Sequence, residues 1–141
     1  MTASAYAAAK RGHTQFGKPA GILTLKIDGR DVSARRGETI LQVARENGIL
    51  IPTLCHLEGL SSLGACRLCL VEIKGTDKLL PSCVTAARQD MEVTTDSERL
   101  RDYRRKILEL LFSERNHVCS VCVSNGHCEL QDLAQSLGMT H

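Results

Sequence analysis

The sequence has few aromatic residues and no long apolar segment. It contains no Trp, two Tyr and two Phe in 141 residues, too few for a surface that stacks nucleic-acid bases or for an aromatic belt at a membrane interface. The longest apolar runs span only a few residues, far below the roughly 20 that a transmembrane helix needs. The formal net charge is only +2, so a strong attraction to nucleic acid is not expected. The sequence therefore predicts no nucleic-acid partner and no membrane span.

The sequence also lacks the features of a secreted protein. Residues 1–20 are Ala-rich and basic but contain no continuous apolar region of the kind found in signal peptides. The cysteines are seven in number, and they include two Cys-x2-Cys pairs. An odd count with such pairs argues against a disulfide framework and for reduced thiols. We therefore predict a cytoplasmic protein in which residues 1–20 form a disordered arm.

All seven cysteines fall into two groups with the spacing of metal ligands. The first group is Cys55, Cys66, Cys69 and Cys83, and the second is Cys119, Cys122 and Cys128, with His117 shortly before them. Four thiolates can hold one iron–sulfur centre, and three thiolates with one imidazole can hold a second. The sequence therefore predicts a protein that transfers electrons.

The residues before and around the first group alternate in the way that strands do. Apolar residues alternate with polar ones from Ile22 to Ile27, Asp28-Gly29 predicts a hairpin turn, and Val32 and Ala34 share one face of the return strand. A helix is expected over residues 38–47, and further strands over residues 70–73 and 92–94. This order resembles a β-grasp ferredoxin, so we predict an α+β fold with a 2Fe-2S ferredoxin-like domain over residues 21–96.

The residues after this domain have helical periodicity. Thr95 and Glu98 fit a capping box, with Thr95 as the N-cap. The apolar side of the following helix is expected to contain Leu100, Tyr103, Ile107, Leu110 and Leu111. The other positions are mostly basic and include Arg99, Arg101, Arg104, Arg105 and Lys106. We interpret this basic run as a solvated helix face, with docking of an acidic partner as the alternative. A shorter helix with Leu130, Leu133, Ala134 and Leu137 on one face should close a small helical domain over residues 97–141.

The spacing within the first group suits a 2Fe-2S cluster held by its four cysteines. Ten residues separate Cys55 from Cys66, two separate Cys66 from Cys69, and thirteen separate Cys69 from Cys83, which differs from the plant-type ferredoxin pattern. Small residues in the first gap, such as Gly59 and Gly64, let the backbone approach the cluster. The alternatives are a zinc-stabilised interaction module and a redox-sensing dithiol at Cys66 and Cys69.

The second group suits a 4Fe-4S cluster. Each of its three cysteines can bind one iron, and His117 is the predicted ligand of the fourth. His127, which is adjacent to Cys128, and a ligand from outside the chain are the alternatives. His13 and His56 have no cysteine cluster of this kind beside them, and we interpret them as ordinary surface or loop histidines.

Both sites resemble those of a known family. The segment PTLCHLEGLSSLGACRLCLVEI, followed by LLPSC, resembles the N-terminal 2Fe-2S domain of the large iron–sulfur subunit of complex I. The segment ERNHVCSVCVSNGHCELQDLAQSLGMTH is similar to the diaphorase-side iron–sulfur subunit of NAD-reducing bidirectional nickel–iron hydrogenases, and this resemblance covers roughly residues 22–141. Complex I relatives place the histidine four residues before the first cysteine, where this chain has Arg115.

The resemblance implies a subunit of an NAD-linked oxidoreductase of the hydrogen dehydrogenase type. Its clusters would relay electrons between a diaphorase subunit that binds FMN and NAD(H) and the hydrogenase subunits of a hetero-oligomer. An equivalent subunit of complex I or of NAD-dependent formate dehydrogenase is the alternative. The chain has no dinucleotide-binding G-x-G-x-x-G after a strand, no P-loop and no nucleophile–base set, so no substrate-converting site is predicted on it. Family members continue into further Cys-x2-Cys-x2-Cys runs, so we expect a truncated chain or, as the alternative, a short homologue.

Overall fold

The computed structural model describes residues 21–139. The predicted arm over residues 1–20, with His13, lies outside the described residues. In chain order the elements are β1 (Ile22–Ile27), β2 (Arg30–Arg35), α1 (Ile40–Glu46), β3 (Leu70–Ile73), β4 (Leu80–Pro81), β5 (Glu92–Thr94), α2 (Glu98–Ser113), a 3-10 turn (Cys119–Val121) and α3 (Glu129–Ser136).

The strands form one mixed sheet in the order β2-β1-β5-β3-β4. β1 is antiparallel to β2 and parallel to β5, whereas β3 is antiparallel to both β5 and β4. The buried face of α1 belongs to the same hydrophobic core as β1, β2 and β5, and this combination of a mixed sheet with a packed helix confirms the predicted α+β ferredoxin-like fold. The short strand β4 was not predicted. Within residues 21–139, no helix is both long and apolar enough to cross a membrane.

The first hairpin follows the predicted alternation. Leu23, Leu25 and Ile27 are buried on β1, and Val32 and Ala34 are buried on β2. The turn between the strands has positive φ at both central residues, 50° at Asp28 and 77° at Gly29. This backbone conformation matches the right-handed twist of the two strands, which explains the tight two-residue connection.

Helix α1 is shorter at its start than the prediction over residues 38–47. It begins after Thr39, whose side chain accepts a hydrogen bond from the backbone N–H of Gln42, while the Gln42 side chain accepts one from the backbone N–H of Thr39. This reciprocal pair is a capping box. Glu38 therefore lies before the helix, and its carboxylate accepts a hydrogen bond from the backbone N–H of Arg35 at 2.8 Å. Gly48, with φ of 70°, follows the end of the helix as predicted.

The prediction that Thr95 caps α2 is wrong. The N-cap is Ser97, whose hydroxyl accepts a hydrogen bond from the backbone N–H of Leu100. Thr95 instead donates its backbone N–H and its hydroxyl to the carboxylate of Asp28. The helix therefore begins two residues later than the capping-box pattern indicated, because a tertiary contact occupies the predicted cap.

The buried face of α2 also differs from the prediction. Leu100 is buried as expected, but the next buried positions are Arg104 and Leu108, whereas Leu110 is 70% exposed. The interpretation of Arg104 as part of a solvated face is wrong. These buried positions recur every four residues and so lie on one side of the helix, the side that packs against β3.

A second hydrophobic cluster joins the helical region to the loop before β3. Its buried residues are Leu68, Leu108 and Ala134. The partly buried residues packed against it are Leu54, Cys66, Ile107, Leu111, Phe112, Leu130, Leu133, Leu137 and Met139. The apolar face predicted for α3 is therefore part of this cluster. The division into domains at residues 96 and 97 stays a prediction, and this cluster contains residues from both sides of it.

Candidate metal centres

The first group of cysteines is assembled by the edge of the sheet and the loop before it. Cys69 directly precedes β3 and Cys83 follows β4, and the antiparallel pairing of Leu70 with Pro81 brings the two cysteines together. Their Sγ atoms are 3.4 Å apart, and both residues are almost fully buried, with 1% and 2% exposure. The backbone N–H of Ser82 donates to the carbonyl of Cys69 at 2.9 Å. The unpredicted strand β4 therefore positions Cys83.

The other two cysteines of this group form a second close pair. The backbone N–H of Cys66 donates to the Sγ atom of Cys55 at 3.4 Å, and both residues are half-buried. Within the loop that separates them, His56 Nδ1 and Ser62 Oγ are hydrogen-bonded at 2.9 Å. His56 is thus a loop histidine, as predicted, and its ring links two parts of the loop. The four thiols of the first group lie in two pairs.

Two residues close to these cysteines have a left-handed backbone conformation. Gly64 has φ of 63°, and a Cβ at this position would lie 3.3 Å from the Val84 side chain. Arg67, between Cys66 and Cys69, has φ of 59° although it is not glycine. Such conformations are costly for residues with side chains and persist only where the surrounding structure fixes them. The strained turn lies next to the predicted ligands.

The environment changes the acidity of two of these thiols in opposite directions. Burial acts to raise the pKa of Cys66, but hydrogen bonds from the backbone at Leu68, Cys55 and Leu54 outweigh it and lower the pKa below its ordinary value. Burial, the hydrogen bond with Cys69 and the nearby charges of Cys69 and Cys55 raise the pKa of Cys83. Because the thiolate is the form that binds metals, N–H donors of this kind stabilise a ligand, and metal binding releases the proton of a buried thiol.

The second group surrounds a cavity of about 270 Å³ at the end of α2. Its walls include all four predicted ligands, His117, Cys119, Cys122 and Cys128. Cys119 begins the 3-10 turn, and Cys128 is the residue immediately before α3. The helix α2, the turn and α3 thus bring the four side chains to one cavity. His127 is not among the residues that line it.

Phe112 is a residue of this site that sequence reasoning missed. Its ring lines the cavity and packs edge-to-face against the ring of His117, with 5.0 Å between centroids and an interplanar angle of 69°. Aromatic pairs favour this geometry. The sequence offered one sign of this role. The chain has only two Phe residues, and one of them lies five positions before the predicted histidine ligand.

The donor chemistry of both sites fits iron–sulfur centres. Four free thiols in two close pairs are the donor set for a centre with two irons, each of which takes two thiolates. Three cysteines and one imidazole around one cavity are a donor set for a cubane centre. The donor sets fit multi-iron centres.

Comparison with protein families agrees with this chemistry. Residues 22–98 match the 2Fe-2S iron-sulfur cluster binding domain. The chain belongs to this 2Fe-2S domain family. Residues 104–141 of the 2Fe-2S protein match a second model, the NADH-ubiquinone oxidoreductase-G iron-sulfur binding region. The two matches follow each other in the order predicted for the 2Fe-2S and 4Fe-4S sites.

Relatives of this 2Fe-2S protein are subunits of oxidoreductases. The NADPH-Fe(3+) oxidoreductase subunit alpha of Geobacter sulfurreducens is 43% identical over 117 residues, which are 83% of this chain and 14% of the relative. The NAD-reducing hydrogenase HoxS subunit gamma of Cupriavidus necator is 35% identical over 117 residues, which are 83% of this chain and 49% of the relative. The chain therefore spans less than half the length of either relative.

A solved structure shows the same fold at clear sequence identity. The crystal structure of an NAD+-reducing NiFe hydrogenase in the H2-reduced state contains a chain that is 39% identical, with a TM-score of 0.79. The match covers 84% of this 2Fe-2S protein and 50% of that chain. The predicted resemblance and the two predicted cluster types are confirmed. Neither family model describes a zinc module or a dithiol sensor.

Proposed function

We propose that this protein is an iron–sulfur electron-transfer subunit of an NAD-linked oxidoreductase. It relays single electrons between a diaphorase subunit that binds flavin and NAD(H) and a hydrogenase module, within a hetero-oligomer in the cytoplasm. In this proposal FMN and NAD(H) bind to the partner subunits, and substrate conversion takes place on those subunits. The observation that carries the proposal is the presence of two complete donor sets, one in two thiol pairs and one around a cavity, joined by one hydrophobic cluster.

We assign the first site to Cys55, Cys66, Cys69 and Cys83 as ligands of a 2Fe-2S cluster. Cys55 and Cys66 would hold one iron and Cys69 and Cys83 the other, because these are the pairs that lie close together. When bound, iron–sulfur centres accept and release one electron at a time. The chain contributes the fixed ligand geometry, the burial that excludes water from Cys69 and Cys83, and N–H donors to the sulfur atoms.

We assign the second site to His117, Cys119, Cys122 and Cys128 as ligands of a 4Fe-4S cluster. The choice of His117 over His127 is supported by the cavity, since His117 lines it together with all three cysteines and His127 does not. The imidazole ring packs edge-to-face against Phe112, a contact that favours this orientation of the ring. Because imidazole is neutral where thiolate is negative, this ligand makes the site less negative and favours reduction.

The hydrogenase module is the proposed electron partner because of the extent of the structural match. A TM-score of 0.79 over 84% of the chain relates this protein to one chain of an NAD+-reducing hydrogenase. The second family model, which describes a region of NADH-ubiquinone oxidoreductase, supports an equivalent subunit of complex I as the second candidate. The two candidates share the flavin and NAD(H) partner and differ in the partner on the other side of the relay.

The first experiment determines which groups the chain binds. The protein is purified without oxygen, analysed for iron, acid-labile sulfide and zinc, and then reduced with dithionite for low-temperature EPR. We expect about six iron and about six sulfide per chain, the sum of one 2Fe-2S and one 4Fe-4S cluster, with two distinct signals. Zinc without sulfide would contradict the proposal.

A second experiment tests which partner subunits exchange electrons with the clusters. NADH should reduce both clusters only when the flavin-binding diaphorase subunit is added, because the proposal places the NAD(H) site on that subunit. Reduction by H2 after addition of the hydrogenase subunits distinguishes the hydrogenase assignment from the complex I alternative. Reduction by NADH of this chain alone would overturn the division of roles between the subunits.

A further inference from the structure

The guanidinium group of Arg104 is buried in the middle of the protein. It is 3% exposed and donates three hydrogen bonds to backbone carbonyls. Nε donates to Leu68 at 3.0 Å, and Nη2 donates to Leu70 and to Thr95, both at 2.8 Å. The planar fork of an arginine side chain suits such a set of acceptors, and a lysine ammonium does not offer the same geometry.

The partners of Arg104 are unusual for a buried charge. Its three acceptors are uncharged peptide carbonyls, and none of the ion pairs found within residues 21–139 includes it. Burial lowers the pKa of Arg104, and the charges of Asp96, Cys69 and Asp28 act in the opposite direction. Arginine nevertheless stays protonated in proteins. Burial of a full charge is unfavourable. If this position served packing alone, an apolar side chain would fill it without that free-energy cost.

Two of the three acceptors of Arg104 lie beside a cysteine of the first site. Leu68 and Leu70 are the two neighbours of Cys69 in the chain, so Arg104 binds the carbonyl groups of the residues on both sides of a proposed iron ligand. The third acceptor, Thr95, follows β5, the strand that pairs with β3. Arg104 thus links α2 to the ligand-bearing edge of the sheet at the position of Cys69.

We propose that Arg104 is the positioning residue of the 2Fe-2S site, which clamps Cys69 and supplies a buried positive charge that favours reduction of the cluster. This inference rests on the proposed function. Reduction adds one negative charge to the site, and a nearby cation in a poorly hydrated environment stabilises that charge more than an exposed cation does. The basic face predicted for α2 therefore contains one residue with a different role from its neighbours.

The test compares two substitutions of Arg104 with a matched control. Arg104→Gln removes the positive charge, and Arg104→Lys keeps the charge but loses the planar guanidinium group. The control, Arg105→Gln, removes a positive charge from the next residue of α2, which is exposed and pairs with Glu109. The midpoint potentials of both clusters are measured in the full chain by redox titration with EPR detection. We expect Arg104→Gln to shift the 2Fe-2S potential to a more negative value and to change the 4Fe-4S potential less. Arg104→Lys should stay near the unsubstituted protein, and Arg105→Gln should change neither potential.

A second measurement on the metal-free protein tests the clamp without any cluster. Alkylation of individual cysteines is followed by mass spectrometry, with the exposed Cys122 as internal reference. Both Arg104 substitutions should increase the rate of labelling at the buried Cys69 by about tenfold or more, because charge-assisted hydrogen bonds protect this segment from local opening. Arg105→Gln should leave the rate unchanged.

The outcomes separate this inference from the proposed function. An Arg104→Gln protein with an unchanged 2Fe-2S potential and unchanged labelling of Cys69 would overturn the role of Arg104 while leaving the relay intact. If Arg104→Gln does not assemble, Arg104→Lys decides, and an unchanged labelling rate in that protein excludes the clamp. Absence of a 2Fe-2S signal from the unsubstituted protein contradicts the proposed function instead.

Discussion

Asp28 accepts two hydrogen bonds from Thr95, one from its backbone N–H at 2.7 Å and one from its hydroxyl. Asp28 lies in the turn between β1 and β2 with φ of 50°, and Thr95 lies between β5 and α2. The contact joins residues 67 positions apart. It therefore ties the first hairpin to the point where the helical region begins.

Removal of the Asp28 carboxylate should destabilise the protein measurably. Asp28→Ala loses both hydrogen bonds and places a Cβ-bearing residue without a polar side chain at positive φ, so we expect a loss of about 1–3 kcal/mol. Asp28→Asn should cost less, because asparagine tolerates this conformation and keeps one acceptor. Urea unfolding of the anaerobic protein, followed by circular dichroism, measures both. Asp31→Ala is the control. Asp31 is exposed, and its one ion pair in the described residues is a long, exposed contact of 3.9 Å with Lys26, so the substitution should change stability by less than about 0.5 kcal/mol.

Substitution of His117 should affect the second cluster alone. His117→Ala should remove the 4Fe-4S signal and lower the iron content by up to about four per chain, while the 2Fe-2S signal stays. His117→Cys should keep the cluster at a more negative potential, because a thiolate replaces a neutral ligand. His127→Ala, made beside the same cysteines, should change neither signal. Loss of the 4Fe-4S signal in His127→Ala but not in His117→Ala would assign the fourth ligand to His127.

Gly64 and Gly59 offer a matched pair in the loop of the first site. Both have positive φ, but only at Gly64 would a Cβ meet another side chain, Val84 at 3.3 Å. Each alanine substitution should cost about 1–2 kcal/mol from backbone strain, and Gly64→Ala should also lower the 2Fe-2S content as measured by EPR spin quantification. Equal 2Fe-2S content in the two variants would show that the contact with Val84 does not shape the site.

Leu108 and Leu110 test the buried face of α2. Leu108→Ala should destabilise the protein by about 2–5 kcal/mol, because Leu108 is fully buried against Leu68 and Ala134 and its truncation leaves a cavity. Leu110→Ala should change stability by less than about 0.5 kcal/mol, since Leu110 is largely exposed. Urea unfolding under anaerobic conditions measures both. Similar losses in the two variants would contradict the observed orientation of the helix.

Local patterns predicted most of the first half of the fold. The alternation in β1 and β2, the Asp28-Gly29 turn and the Gly48 stop all follow from the conformational preferences of neighbouring residues. Strand β4 was missed because two residues are too few to show a period, and its position depends on pairing with β3. The cap of α2 was misassigned because the Thr95 side chain is used in a contact with a residue far away in the sequence.

The sequence by itself determined the number, type and order of the candidate ligands, and therefore the class of chemistry. Cysteine spacing is a local property, and thiolate and imidazole donors in these two groups suit iron–sulfur centres, with zinc as the alternative that the sequence left open. Only the tertiary structure decided which cysteines form pairs, which histidine shares the cavity with Cys119, Cys122 and Cys128, and which arginine of α2 is buried. These relations depend on contacts between residues distant in sequence, and a helical pattern cannot show which of its polar positions another part of the chain will cover.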